Sequence, residues 1–148
     1  MIPDTYVPDL DVRLGLYRRL SGLETKVEME GFAAELIDRF GALPAEVETL
    51  MLVVRIKVLC KRAGIGRLDG GPKGATVQFH GDKYANPAGL VQFLNDQKGL
   101  AKVKDNRIVV RRDWASDKAR LSGAFGIARD LAALARPAAA SRAVDAEG

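Results

Sequence analysis

The chain has 148 residues, of which 47% are hydrophobic and 28% charged, and a net charge of +4. That length fits one domain with or without a tail, and folding at this size buries roughly 70% of the unfolded surface, so no covalent or metal staple is needed. One cysteine, Cys60, excludes an intrachain disulfide framework and fits a reducing, cytoplasmic setting; no apolar run reaches the ~18–20 residues of a membrane span, and the opening lacks the basic-then-apolar order of a secretory signal.

Residues 1–10 contain Pro3 and Pro8 and read as an extended arm whose Ile2, Tyr6 and Val7 pack in part on the domain. An opening of this kind suggests a piece of a longer protein. A domain is expected over residues 11–136. Asp11 is placed to cap a helix over residues 12–20, ended by Ser21-Gly22. A second helix is expected over about 24–40, with Met29, Phe32, Ala33, Leu36, Ile37 and Phe40 as one apolar stripe and Gly41 as its terminator. Pro44 suits the first turn of a third helix, about 44–63, which is apolar nearly all round and is expected to be the central buried helix.

The pattern then changes to "RLDGGPKGATVQFH", a hairpin with its turn at 70–74. Asn86 and Pro87 open a helix through about Asp96 with Leu90, Phe93 and Leu94 inward. "LAKVKDNRIVVRR" is a second hairpin turning at Asp105-Asn106, residues that tolerate positive φ. Ser116 caps a last helix with Leu121, Phe125, Ala128 and Leu131/Ala132 on one face, and residues 137–148 are small and polar enough to be disordered. The order α-α-α, β-β-α, β-β-α is α+β, with a small, mainly antiparallel sheet packed with helices.

No phosphate-binding loop is present: "GGPKGAT" has the wrong spacing and no hydroxyl after its lysine. The single histidine, His80, has no Cys or His cluster around it, Asp69 and Asp82 read as turn acids, and no serine sits in a nucleophile motif. No catalytic residue, cofactor or metal site is assigned, and the chain reads as a binding or regulatory module.

Two surfaces carry the remaining signal. Residues 24–40 hold five acids and two bases, a net −3 that leaves +7 on the rest of the chain. Glu35, Asp38 and Arg39 are expected to project away from the apolar stripe, with Glu28 and Gly31 as secondary candidates; either this is a solvated face with a Glu35–Arg39 pair, or it is a docking face with a gap at Gly31. The second surface is the last hairpin. A two-residue turn places Lys104 opposite Arg107 and Val103 opposite Ile108, so Ala101, Val103, Ile108 and Val110 face the core while Lys102, Lys104, Arg107 and Arg111 face outward. Those four bases are a candidate anion site, set against the plainer reading of a charge-protected sheet edge.

"IPDTYVPDLDVRLGLYRRL", "ELIDRFGALPAEVETLM" and "GIGRLDGGPKGATVQF" resemble the C-terminal domain of the bacterial transcription-repair coupling factor, over residues 2 to about 135. The resemblance implies a non-catalytic, autoinhibitory domain of an ATP-driven DNA translocase. Such a domain docks on the UvrB-like module of its own parent chain, in competition with UvrA, and restrains the motor until stalled RNA polymerase is engaged. It further implies that Glu35, Asp38 and Arg39 meet basic residues of that module. The alternative is an accessory nucleic-acid- or polymerase-contacting module that uses the basic hairpin 102–111.

Overall fold

Residues 1–136 are described by the computed structural model, in which five α-helices and four strands follow the order α-α-α, β-β-α, β-β-α. This is the expected α+β class, and the sheet is antiparallel throughout. Two compact units divide the chain, one from Met1 to Arg55 and one that begins at Ile56. The expected disordered tail, 137–148, lies outside the described residues.

Helix α1 spans Leu10–Ser21, and its cap is Asp9, whose carboxylate accepts from the Val12 amide at 2.9 Å. The expected cap, Asp11, lies instead in the first turn, where its charge favours the helix dipole. The reason is backbone conformation: Asp9 is extended (φ −77°, ψ 124°), and a cap bonds the amide three residues on. Helix α2 spans Lys26–Phe40 behind a reciprocal capping box between Thr25 and Glu28, so it starts two residues later than expected and Glu24 precedes it.

These helices bury Leu16, Leu20, Phe32 and Leu36 with Ile2, Val7 and Val47. The arm is therefore a structural part of this unit. Tyr6 donates its hydroxyl hydrogen toward the Leu36 and Gly41 carbonyls at 3.1 and 2.8 Å, and Arg13 donates to the Val7 carbonyl at 2.7 Å. Each such core side chain contributes about 1.5–3 kcal/mol by leaving water.

Helix α3, Ala45–Ala63, is not the fully buried helix its composition suggests: Val47, Leu59 and Ala63 are buried, and most of its other apolar residues are half-buried. Its two halves serve different clusters. Val47, Leu50, Met51 and Val54 belong with the first core, whereas Ile56, Leu59, Cys60 and Ala63 belong with the second. An all-round apolar sequence here reflects two faces used in succession. Cys60 is half-buried, and burial pushes its thiol pKa up.

In the second unit, β1 (Ile65–Gly71), β2 (Gly74–Phe79), β3 (Ala101–Lys104) and β4 (Arg107–Arg111) form one sheet in the order β1-β2-β4-β3. Helices α4 (Pro87–Asp96) and α5 (Asp117–Ala135) start at their expected caps, Asn86 and Ser116. Asn86 also donates to the Leu134 carbonyl at 2.9 Å, and the buried Tyr84 hydroxyl donates to the Leu131 carbonyl at 2.6 Å, which ties the start of α4 to the end of α5. Burial pushes the Tyr84 phenol up to about 12. Trp114, unremarked in the sequence, is buried against α5 at Gly123, where a Cβ would lie 2.1 Å from the indole ring.

Candidate functional site

The charged residues of α2 separate into two groups. At about 100° per residue, the buried Met29, Phe32 and Leu36 define the inward direction. Asp38, Gly31 and Val27 point nearly opposite, and all three are exposed. Asp38 has no ion-pair partner among the described residues. Glu35, Glu28 and Arg39 lie on the flank, roughly 60–100° from the inward direction.

Position on the flank decides their chemistry. Glu35 is held by Arg19 of α1 in a two-pronged ion pair at 2.6 and 2.7 Å, and by Arg39 one turn on at 3.1 Å. The guanidinium of Arg19 lies 5.3 Å from the centroid of the Phe32 ring and that of Arg39 lies 4.8 Å from that of Phe40, so both arginines also roof the core. Hydrogen bonds from Arg19 and Arg39, with their charges, hold the Glu35 carboxyl down at about 2. Glu28 accepts from the Thr25 amide at 3.2 Å as the second half of the capping box.

Of the three residues expected to project from the core, Asp38 and Arg39 are exposed and Glu35 is half-exposed; the Glu35–Arg39 pair is the one weighed from the sequence, and Arg19 adds a second arm that ties Glu35 to α1. Arg19 is the member that sequence reasoning missed. No local signal marks it, because its partner is sixteen residues away on another helix. Ile37, expected inward, is 50% exposed. It lies about 100° from the centre of the buried stripe, so the helical wheel was sufficient to find it.

In the second unit, the hairpin geometry follows the expectation. Asp105 and Asn106 have φ of 53° and 61°, Lys104 pairs with Arg107, and Val103 pairs with Ile108. Ile108 and Val110 are buried, and Lys102, Lys104, Arg107 and Arg111 are exposed on the other face. Val103 differs from its expected core position, at 58% exposed, because it lies near the turn on an edge strand whose outer side nothing covers among the described residues. A shallow depression of about 350 Å³ lies on the outward face, lined by Thr76, Lys104, Asp105, Arg107 and Val109. Another of about 360 Å³ follows the first hairpin turn from Asp69 to Thr76. His80 is exposed. Among the described residues no group of three or more His, Cys, Asp or Glu is placed to hold a metal ion, and no helix is long and apolar enough to cross a membrane.

A model of the TRCF domain family matches residues 1–90. The chain is 43% identical over 110 residues to the transcription-repair-coupling factor of Rickettsia bellii (strain RML369-C), which covers 73% of this chain and 10% of that protein. It is 32% identical over 132 residues to that of Escherichia coli (strain K12), covering 88% of this chain and 12% of the relative. The chain spans about a tenth of the length of the curated relatives it matches. The crystal structure of a C-terminal domain of transcription-repair coupling factor has the same fold, with a TM-score of 0.68 at 22% identity over 89% of this chain and 86% of that one. A family model that matches more than half of the chain, and relatives that align over most of it, lead to one conclusion: this chain belongs to the TRCF domain family of the transcription-repair coupling factors.

Proposed function

We propose that this chain is a regulatory, non-catalytic domain from the C-terminal end of a transcription-repair coupling factor. It docks through α2 on the UvrB-like module of its own parent protein, masks the surface that UvrA uses, and restrains the DNA translocase until stalled RNA polymerase is engaged. Its setting is cytoplasmic, it holds no cofactor, and its link to polymerase runs through the parent.

The observation that carries this reading is the outward side of α2, where exposed Asp38, without an ion-pair partner among the described residues, stands beside half-exposed Ile37. Neither feature is needed to hold the unit together. A carboxylate next to an apolar side chain suits a basic partner surface with an apolar spot. Glu35 and Arg39 sit behind this contact as part of an ion triad that keeps the flank of the helix in one shape.

The mechanism is competition. A clamp on the shared surface lowers the apparent affinity for UvrA in proportion to the fraction of time the surface is covered. Charge-based contacts suit a latch that must open, because they respond to salt and to rearrangement of the partner. Tethering in one chain raises the effective concentration, so a weak contact is sufficient.

The test is Asp38→Lys in the full-length parent, with UvrA affinity measured at one ionic strength. A like-charge contact across an interface costs several kcal/mol, so UvrA binding rises by ~10-fold or more, toward that of a clamp-deleted protein. The same change leaves the melting of this chain within ~0.5 kcal/mol of wild type, as at other exposed sites. Unchanged UvrA affinity in a correctly folded variant overturns the docking role of this face. Glu35→Lys is a poorer probe, contrary to its appearance in the sequence, because it sets a lysine against Arg19 and Arg39 and so changes the stability of the unit together with the contact.

A further inference from the structure

The two edges of the sheet are treated differently. Edge strand β1 carries Arg67 paired with Asp69 at 2.7 Å, so its charge is neutralised in place. The opposite side carries Lys102, Lys104, Arg107 and Arg111, all exposed and none in an ion pair among the described residues. Edge protection accounts for the lysines of β3, which is an edge strand. It does not account for Arg107 and Arg111, which sit on β4, an interior strand between β2 and β3 with no edge to protect.

Nor does stability account for them. Lys104 and Arg107 stand directly opposite each other in the ladder, and like charges in that position are destabilising. Lys102 and Lys104 repeat the charge about 7 Å apart on the same face. The row continues to Arg111, which pairs with Gly74 at the other end of β4. Between these charges lies the shallow depression over Thr76 and Val109. Asp105, at the hairpin tip, contributes the one carboxylate to its lining.

We infer that this outward sheet face, from Lys102 and Lys104 to Arg107 and Arg111, is a binding surface for the phosphate backbone of duplex nucleic acid. A line of concentrated positive charge matches a polyanion of regular spacing better than a single small anion. The face carries no aromatic side chain to stack an unpaired base, so the contact is to backbone and indifferent to sequence. Bound phosphates relieve the repulsion between Lys104 and Arg107 that the free protein carries.

The experiment measures anisotropy of a short, labelled, mixed-sequence DNA duplex titrated with the 148-residue chain at several salt concentrations. The expected result is weak binding whose logarithm falls with the logarithm of salt at a slope of about −3 to −4, one counterion for nearly every base engaged. Lys104→Glu with Arg107→Glu weakens binding at low salt by ~10-fold or more, and Lys104→Gln with Arg107→Gln does so by less, each with an unchanged circular dichroism spectrum. Reversal of the exposed Lys57 and Lys61 of α3 changes it by less than ~2-fold, because α3 lies outside the face. No detectable binding at low salt overturns the inference. So does an equal loss from the α3 reversal, which would mean that net charge alone is read. Displacement of the duplex by polyglutamate at equal charge concentration also overturns it, by assigning the face to an acidic protein partner. These results are independent of UvrA affinity, so this surface and the α2 latch stand or fall separately.

Discussion

In the unit Met1–Arg55, the core is made by helices close in sequence, and a short arm closes over them with Ile2 and Val7. In the unit that begins at Ile56, the core is made by a sheet whose neighbours are far apart in sequence, as where β2 pairs with β4 across the whole of α4 and β3. The first is held by apolar side chains of ordinary size and tuned at its surface by ions. The second depends on close approaches that only glycine permits, at Gly74 and Gly123. At Gly74 the sheet sets backbone against backbone, and at Gly123 an indole ring lies against a helix, so neither place leaves room for a side chain to adjust.

The largest expected effect breaks the second unit at its backbone. Gly74 has φ +129°, and a Cβ there would lie 1.9 Å from the Val110 carbonyl oxygen. Gly74→Ala should cost more than ~3 kcal/mol, since both strain and a backbone clash oppose it. Hydrogen exchange should show the loss first across Ile65–Arg111, and protection there equal to wild type would contradict the close approach.

A smaller effect tests whether the arm belongs to the first core. Val7 is 1% exposed, and Val7→Ala should cost about 1.5–2.5 kcal/mol in chemical denaturation. A cost below ~0.5 kcal/mol would return the arm to the status of a surface segment.

The smallest effect concerns the ion triad. Arg19 and Arg39 hold the Glu35 carboxyl at about 2 against an ordinary 4.5, so the folded state binds the proton less readily than the unfolded chain. The triad therefore supports folding above the unfolded value, and that support is lost as pH falls from about 4.5 toward 2. Glu35→Gln should lower the melting temperature modestly at neutral pH and flatten its fall over that window. Identical pH profiles for wild type and variant would mean that the triad does not bear on stability.

How far the sequence could be read differs between the units for the same reason. In the second, turn chemistry at Asp105-Asn106 set the register of β3 and β4, and the outward bases followed from alternation. Caps at Asn86 and Ser116 were equally local. The placement of β4 beside β2 was not local, and it is that placement which makes Arg107 and Arg111 interior-strand residues rather than edge guards. In the first unit, the stripe of α2 was legible, but Thr25 displaced the helix start and Arg19 took up Glu35 from another helix.

By itself the sequence determined the order of elements, the hairpin turns and the apolar face of the second hairpin, because period, caps and φ preferences act within a few residues. Only the tertiary structure decided which charges are spoken for. It put Arg19 against Glu35, left Asp38 to solvent, divided α3 between two cores and set β4 inside the sheet, because each depends on which surfaces meet across long separations in the chain.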